Sequence, residues 1–406
     1  LTRQSWMRSV VEKSLEAMGK GGVFDQLGGG FHRYSVDERW VVPHFEKMSY
    51  DNAALLSLYS KAFQVFGQPL YREVARGITR WAQETMTEKQ GGFYASQDAD
   101  NSAHDDGDYY TWTLKEAESL LTKEETQVLL PYLDIEEQGE MVHDPSRNVL
   151  YIAREPEILA RELELKPQEV LKRLESGKRK LLEARKKRKA PFADPTLYTN
   201  WNGMWIQAYF AAWRAFHEPF LKEFALKTLD RFMETGFDPA KGMRHWIPPS
   251  PSPLPASTRG GSAFGGQGGE EKGEGGETGF LEDQVEILAA VVEAFEITGE
   301  KRYLDFSKTL SALLFEKYRA EAGGFYDTSR SVQEGHLKFR QKRLQDSPAV
   351  SPNATAGLTL LKLYHLTQNE EYLKAVEEML QYFFEEAKAL NYFAAGYVNV
   401  LDFYLK

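Results

Sequence analysis

No cysteine occurs among the 406 residues of the chain. This absence excludes disulfide bonds, thiolate metal sites and cysteine nucleophiles, and it is compatible with a reducing compartment, so we expect a cytoplasmic protein. The sequence also lacks an apolar run of about 18 residues, which predicts that no helix spans a membrane. Its opening residues, LTRQSWMRSVVEKSLEAM, are typical of an amphipathic helix and not of a signal peptide. Because the chain opens on Leu, we expect a fragment or a processed form.

Positive charge is scarce as well, since 60 acidic residues outnumber 50 basic ones and the net charge is −10. This balance argues against nucleic acid and anionic membranes as partners. The one basic run, KRKLLEARKKRK at residues 178–189, has helical spacing. That spacing favours a solvated helix face over a nucleic-acid patch.

Four segments repeat one pattern of paired helices, and they begin at Asp51, Trp201, Glu282 and Pro352. In each, a helix of about four turns is followed by a short connector, an aromatic residue and a second helix. The first helix is apolar nearly all round, which predicts burial, whereas the second has a polar face and should lie outside.

The other segments extend this pattern to six helical hairpins. Residues 4–18 form an outer helix without an inner partner, and residues 114–133 and 167–189 form a further pair. Residues 393–405 form another apolar helix, a candidate to close the ring. Repeated hairpins indicate a solenoid or a closed ring, and the apolar inner helices favour the ring.

The predicted fold class is therefore all-α, an (α/α)6 toroid whose first hairpin is incomplete. We expect a single domain over residues 1–406, with short β-hairpins at the rim in GGFYASQDAD, DYYTWT and GGFYDT. Residues 248–279 are rich in Pro, Gly, Ser and Glu, and we expect a mobile low-complexity insert there without chemistry of its own.

In such a ring the polar loops before the inner helices gather at one mouth. The most polar loop is GGGFHRYSVDERWVVPHFEKMSYDNA, residues 28–53. His32 and His44 are the acid/base candidates, with Glu282 or Asp283 as carboxylate partner. Histidine titrates near neutral pH and desolvated carboxyl groups can approach it, so this set suits proton transfer.

Further polar and aromatic residues are predicted to bind substrate. Arg33 and Lys47 would orient an oxyanion, while Asp98 and Asp100 would bind hydroxyl groups. The remaining candidates are Tyr34, Trp40, Glu46, Asp51, Asn52, Tyr109, Trp201, Asn202 and Asn353. The aromatic ones offer flat surfaces for sugar rings, or equally pack the rim.

Two structural interpretations compete with these assignments. Capping of helix N-termini explains four of the candidates equally well, namely Asp51, Asn202, Asp283 and Asn353. The run DADNSAHDDGD at residues 98–108 is only loosely similar to a calcium loop and lacks the EF-hand spacing. We therefore expect no metal and no cofactor.

Several blocks resemble a known family, the thioredoxin-domain-containing proteins related to spermatogenesis-associated protein 20. They are, in order, GGVFDQLGGGFHRYSVDERWVVPHFEKMSYDNA, GGFYASQDAD, YYTWTLKEAESLL, NVLYIA, LLEARKKRKAPFADPTLYTNWNGM and FLEDQVEILAAVVEAFEITGEKRYL. The resemblance covers nearly the whole chain. It implies a six-hairpin toroid of the glycosidase and N-acylglucosamine 2-epimerase type, and a place in carbohydrate metabolism that rests on fold similarity.

The chain departs from that family's pattern at several places. The family's N-terminal thioredoxin-like domain and first inner helix are not among these residues, which puts a thioredoxin-linked role in doubt. Residues 193–196 read ADPT where the family tends to have Asp-Asp-Lys, and DSPAVSPNAT differs from the family block although Asn353 is retained.

Two hypotheses of function follow. The first is a carbohydrate-active enzyme, a sugar epimerase or isomerase or a glycoside hydrolase, that uses His and carboxylate acid-base catalysis on a small-molecule carbohydrate. The alternative is a non-catalytic module that binds a sugar or a protein and was formerly coupled to a thioredoxin-like domain. The sequence does not determine the oligomeric state.

Overall fold

Residues 5–101, 107–250, 279–330 and 339–406 are described in a computed structural model of the chain. Their contacts divide the chain into two compact units. Unit 1 comprises Leu1–Thr87 and Ala95–Pro195, and unit 2 comprises Glu88–Tyr94 and Thr196–Lys406. The predicted single domain over residues 1–406 stays a prediction. Most of the expected insert at 248–279, and residues 102–106 of the loosely calcium-like run, lie outside the described residues.

The described part of unit 1 contains paired helices and short antiparallel strands. Its helices are α1 (Ser5–Lys20), α2 (Ser49–Phe66), α3 (Pro69–Trp81), α4 (Leu114–Leu120), α5 (Lys123–Leu133), α6 (Pro156–Glu162) and α7 (Pro167–Arg185). Its strands are β1 (Tyr34–Ser35), β2 (Pro43–His44), β3 (Lys47–Met48), β4 (Ser96–Gln97), β5 (Trp112–Thr113), β6 (Arg147–Asn148) and β7 (Ala193–Asp194). Strand β1 pairs with β2, β5 pairs with β6, and β4 lies between β3 and β7. Strands β4 and β5 lie in the segments GGFYASQDAD and DYYTWT, but the predicted hairpins do not form within them, because β4 pairs with β3 and β7 and β5 pairs with β6.

Helix packing in unit 1 follows the predicted pattern with one exception. Helix α2 packs against α3, α1 packs against α3, and α5 packs against α7. Leu56 and Tyr59 of α2 are fully buried, as expected for an inner helix. A five-residue π-helical turn, Ala82–Met86, continues α3.

The exception is the single helix predicted over residues 114–133, which is divided into α4 and α5. Thr113 and Thr122 each accept a hydrogen bond from the backbone N–H three residues later, at Glu116 and Glu125. Each glutamate also accepts from the N–H of its threonine, which completes a capping box. The single-helix prediction is therefore wrong, because each Thr–Glu pair begins a helix of its own.

Unit 2 contains the three remaining hairpins. Its helices are α8 (Thr199–Phe216), α9 (Pro219–Thr235), α10 (Leu281–Thr298), α11 (Lys301–Lys317), α12 (Pro352–Thr367), α13 (Glu370–Leu390) and α14 (Ala395–Tyr404). Its strands are β8 (Leu197–Tyr198), β9 (Phe237–Asp238), β10 (Gly242–Met243) and β11 (Trp246–Ile247). Strand β9 pairs with β10 and β8 with β11. In GGFYDT only an isolated bridge between Arg319 and Phe325 forms among the described residues.

The inner helices of unit 2 lie side by side. Helix α10 packs between α8 and α12, and each of the three also packs against the next helix in sequence, α9, α11 or α13. Trp205, Tyr209 and Phe210 of α8 are fully buried, which confirms that the first helix of a pair is the inner one. Helix α14 packs on α12, and its predicted closure of a ring stays a prediction. Among the helices described, none is long and apolar enough to cross a membrane.

Candidate functional site

Three charged side chains of unit 1, Asp25, Lys47 and Arg185, form a buried group that includes one residue of the polar loop. Asp25 accepts hydrogen bonds from Arg185 Nη1 and Nη2 at 2.8 and 2.9 Å and from Lys47 Nζ at 2.8 Å. Lys47 also donates to the carbonyl of Gly29 at 2.8 Å. All three charged side chains are at least 95% buried. Lys47, which was predicted to orient an oxyanion, therefore connects the turn at Gly29 to the buried Asp25.

The protonation of this region follows from burial and from the two cations. Burial alone would raise the pKa of Asp25, but the attraction of Arg185 and Lys47 outweighs it and holds that pKa well below its usual range. Burial lowers the pKa of Lys47 to about 8, and burial together with the charge of Lys47 lowers the pKa of His32 to about 3. His32 is 4% exposed and its Nδ1 lies 2.7 Å from the Phe45 carbonyl oxygen, so it donates that proton as a neutral ring.

A second cluster in unit 1 combines acidic residues with one arginine. Arg33 Nη1 donates to Glu46 Oε2 at 2.9 Å. Half-buried Asp51 forms no side-chain hydrogen bond with a described residue, and burial, opposed by Arg33 and reinforced by Glu46, raises its pKa to about 6. Burial, Glu46 and Asp194 likewise raise the pKa of Asp98. The structure thus brings together four of the predicted residues, Arg33, Glu46, Asp51 and Asp98.

The other predicted residues of unit 1 lie in turns and aromatic contacts. Tyr34 stacks on His44 with ring centroids 5.1 Å apart. Trp40 is in a turn with φ of 66° and is partly exposed. Tyr109 packs edge-on against Tyr110, and Asp100 Oδ1 accepts from the Gly107 N–H at 3.2 Å. Among the described residues, no group of three or more His, Cys, Asp or Glu side chains could hold a metal ion.

A repeated amide clamp accounts for the buried amides at the start of the inner helices. In each case a side-chain amide accepts from the N–H, and donates to the C=O, of a single residue that follows a left-handed glycine. The pairs are Asn52 with Phe31, Asn202 with Phe93, Gln284 with Met243, and Asn353 with Phe325. All four amides are fully buried. The clamp ties each glycine turn to the next inner helix, and substrate binding by Asn52, Asn202 and Asn353 stays a prediction.

Helix capping was the competing interpretation of Asp51, Asn202, Asp283 and Asn353. Among the described residues it applies to Asp283. Asp283 Oδ2 accepts from the N–H of Phe280, which precedes α10, at 2.8 Å. The residues at the N-cap positions of α2, α8 and α12 are Met48, Tyr198 and Ser351, and of these Ser351 alone forms a side-chain cap.

In unit 2, a histidine that sequence reasoning missed contacts the predicted catalytic Asp283. His245 Nδ1 lies 3.0 Å from Asp283 Oδ2, and the other carboxylate oxygen accepts from the Asn200 N–H at 3.1 Å. Asp283 is fully buried, whereas the His245 side chain is 30% exposed. Because the carboxylate holds the Nδ1 proton, the Nε2 lone pair points away from it and forms no hydrogen bond with a described residue.

Burial and the contact itself set the titration of this pair. Burial raises the pKa of Asp283 to about 6, with the hydrogen bond from His245 opposing it. Burial would lower the pKa of His245, but the hydrogen bond to Asp283 and the negative charges of Asp283 and Glu282 together outweigh burial and raise it. The Asp283 carboxyl group therefore changes protonation near neutral pH, and His245 retains its proton to higher pH than an ordinary imidazole, so the pair suits proton transfer.

Aromatic rings and a charged group surround the dyad. Tyr198 and Phe280 pack against the His245 ring at 5.2 and 5.0 Å, and Trp201 packs edge-on against Tyr198 at 4.7 Å. On the same helix as Asp283, Glu282 Oε2 accepts from Arg343 Nη2 at 3.1 Å.

A third acidic residue of α10, Glu286, was also missed by sequence reasoning. Gln207 Nε2 of α8 donates to its Oε2 at 2.8 Å, and its Oε1 lies 3.1 Å from Thr355 Oγ1 of α12. Burial raises the pKa of Glu286 to about 7, although both hydrogen bonds oppose the shift. The sequence did contain a signal for Glu286, because it is the one acidic residue in the apolar stretch VEILAAVV at residues 285–292.

Comparison with known proteins identifies relatives for nearly all of the chain. It is 31% identical to human spermatogenesis-associated protein 20 over 402 residues, which cover 92% of this chain and 49% of the human protein. The mouse protein of the same name is 29% identical over 398 residues, with 92% and 48% covered. The chain thus spans about half the length of the curated relatives it matches. No protein-family model matches it.

Among solved structures, a GH76 α-mannanase from Bacteroides thetaiotaomicron aligns with a TM-score of 0.52 at 12% identity. The alignment covers 98% of this chain and 77% of that one. At this identity the likeness concerns the fold alone, and together with the helical hairpins it confirms the predicted all-α class of the (α/α)6 toroid type. The ordered motifs of the sequence and the identity over 92% of its length make the chain a homologue of spermatogenesis-associated protein 20 over about half of that protein's length.

Proposed function

We propose that the chain is a carbohydrate-active enzyme, a sugar epimerase or isomerase, in which His245 moves the proton and Asp283 positions it. The 3.0 Å contact between His245 Nδ1 and Asp283 Oδ2 carries the proposal. A buried carboxylate behind a partly exposed imidazole selects one tautomer and stabilises the charged ring after it takes a proton. Nε2 is then the basic atom, and it lies on the side of the ring away from Asp283.

His245 suits this role better than the two histidines predicted from sequence. His32 is almost fully buried, and its low pKa keeps it neutral throughout the neutral range. His44 is stacked under Tyr34 and has no carboxylate among its described hydrogen-bond partners. Catalysis by His32 or His44 stays a prediction, and the proposal does not depend on it.

The surroundings of His245 support a sugar as substrate. Tyr198, Trp201 and Phe280 place flat apolar surfaces next to the imidazole, and such surfaces pack against the carbon–hydrogen face of a sugar ring. Glu282 and Arg343 add groups that accept from and donate to hydroxyl groups. The carbohydrate named for the α-mannanase of similar fold agrees with this choice.

An epimerase or isomerase is favoured over a glycoside hydrolase by the position of the carboxyl groups. A hydrolase needs two carboxyl groups on opposite sides of the scissile bond. Glu282 and Glu286 are four residues apart on one helix and therefore project from the same side. Removal and return of a proton at carbon needs only one well-placed base and an acid.

Proton exchange tests the proposal directly. The wild-type protein is incubated in D2O with D-glucose, D-mannose, D-fructose, N-acetyl-D-glucosamine and cellobiose, and loss of the hydrogen signal next to the carbonyl carbon is followed by NMR. We expect exchange with at least one sugar and a loss of roughly 100-fold or more in its rate in His245→Asn. His217→Asn, at an exposed left-handed position of unit 2 that suits Asn, is the matched control. Exchange at the wild-type rate in His245→Asn would refute the assignment, and no exchange with any sugar would favour a binding module.

A further inference from the structure

Glu286 lies on a face of α10 that contacts both neighbouring inner helices. Its two hydrogen-bond partners come from the neighbouring inner helices, Gln207 on α8 and Thr355 on α12. Glu282, four residues earlier, lies on the same face, with about 6 Å between the two Cβ atoms as expected for this spacing. Asp283, which contacts His245, and Glu286 are three residues apart on α10, which is about one helical turn.

The two glutamates on this face have opposite electrostatic environments. Glu282 is paired with the guanidinium of Arg343. Glu286 has no cation among its described partners, whereas Glu293, seven residues later on α10, is paired with Arg214 and Lys362 at 3.3 and 3.8 Å. The charged groups that face it are therefore Glu282 and Glu293, and both disfavour ionisation of Glu286.

This arrangement keeps one proton in the site. With a pKa of about 7, Glu286 is about half protonated at neutral pH and mostly protonated in slightly acidic solution. A structural role alone does not explain an acid here, since glutamine could form hydrogen bonds with Gln207 and Thr355 without the cost of burying an ionisable group. A carboxyl group whose pKa is raised toward neutrality by burial, within reach of other polar groups, is typical of a general acid.

We propose that Glu286 is the catalytic proton donor of the sugar site, delivering its proton to the carbonyl oxygen of an open-chain aldose or ketose. The inference rests on the proposed function, in which His245 is the base. His245 Nε2 takes the proton from the carbon next to the carbonyl, and the electron pair of that C–H bond forms a C=C bond. The carbonyl π pair moves to oxygen, which takes the proton from Glu286.

The products of this step are an enediol, an imidazolium at His245 and a carboxylate at Glu286. Return of a proton to carbon and of the hydroxyl proton to Glu286 restores both residues. Delivery to the other carbon gives the isomer, and delivery to the other face gives the epimer. The isomer also requires that the hydroxyl proton of the second carbon passes to Glu286, and the epimer requires that the enediol turns its other face to His245. Neither outcome needs a further reactant.

The first test compares Glu286→Gln with wild type in the D2O exchange assay. We expect the exchange rate to fall roughly 100-fold or more, because a general acid contributes about 10²–10⁴ to a rate. Sugar affinity, measured by calorimetry, should change less than about threefold. Glu316→Gln makes the same chemical exchange at an exposed position of the outer helix α11 and should retain the wild-type rate. Exchange in Glu286→Gln at the wild-type rate, while His245→Asn is inactive, overturns the inference and leaves the proposed function intact.

A second measurement does not depend on finding the sugar. The infrared difference between wild type and Glu286→Gln at pH 6 should contain the carbonyl band of a protonated carboxylic acid, and this band should disappear as the pH rises through about 7. The thermal midpoint of each variant is recorded alongside to confirm folding. Absence of the band at pH 6 in folded protein shows that Glu286 carries no proton to donate, and overturns the inference whatever the sugar panel gives.

Discussion

Replacement of Asp25 by asparagine tests whether the three buried charges of unit 1 hold its polar loop in place. Asn is close to Asp in shape but has no charge, so Asp25→Asn leaves Lys47 and Arg185 facing each other in the interior. One carboxylate here neutralises two cations and accepts three hydrogen bonds from them at 2.8–2.9 Å. The variant therefore tests charge pairing and leaves packing nearly unchanged.

The expected loss is large because neither cation can reach water. Removing one partner of a buried ion pair costs about 3–5 kcal/mol. For a unit of this size, a loss of that order lowers the midpoint of thermal unfolding by roughly 6–20 °C. Glu162→Gln is the matched control, since its partner Arg154 is about half exposed and such pairs contribute about 0–1 kcal/mol.

Urea unfolding followed by circular dichroism measures the loss, and amide hydrogen exchange of the segment around Gly29 shows whether it is local to unit 1. Combining Asp25→Asn with Lys47→Met removes one of the two opposed cations and should recover part of the lost stability. If Asp25→Asn costs no more than Glu162→Gln, the three charges do not stabilise unit 1 and the reasoning is wrong.

Two further predictions concern titration and the amide clamp. The pKa of Lys47 falls from its ordinary 10.5 to about 8 on folding, so between these values the unfolded chain binds more protons and the free energy of unfolding rises with pH. The rise is roughly 3 kcal/mol at most and should be missing in Lys47→Met. If the free energy of unfolding, measured with urea, changes between pH 8 and 10 by the same amount in wild type and Lys47→Met, the prediction is contradicted. Asn353→Ala removes three buried hydrogen bonds, including the one from the Phe325 N–H, and should cost about 3 kcal/mol. Asn369→Ala, at the exposed cap of α13, should cost about 1 kcal/mol, and equal thermal shifts in the two variants would refute the clamp.

The paired helices were predictable because each carries a strong local signal. Apolar periodicity distinguishes inner from outer helices, and the glycine turns mark their connections. The break between α4 and α5 was missed because the helical periodicity continues through Thr122, while the capping box depends on one side-chain hydrogen bond.

The candidate site was less predictable because its contacts join distant parts of the chain. Asp283 was predicted from its place at the start of an inner helix, but its partner His245 is 38 residues earlier. Asp25 and Arg185 are 160 residues apart. Local sequence patterns do not predict contacts between residues so far apart in the chain. The sequence around His245 or Arg185 therefore does not indicate which carboxylate it contacts.

Aligning the inner helices on their clamp residues separates scaffold from chemistry. Asn52, Asn202, Gln284 and Asn353 occupy one position of the repeat, and all four are buried against a glycine turn. Three positions near each clamp residue are compared: the second and the first residue before it, and the second residue after it. Helices α8 and α12 have no acidic residue at any of the three, and α2 has only Asp51. Helix α10 carries an acid at all three, Glu282, Asp283 and Glu286. The clamp amides, which all four helices share, maintain the fold. The acidic residues that are concentrated on α10 are available for reaction. Substitution of any clamp amide should therefore lower stability, whereas substitution at the three acidic positions of α10 should change the rate of proton exchange.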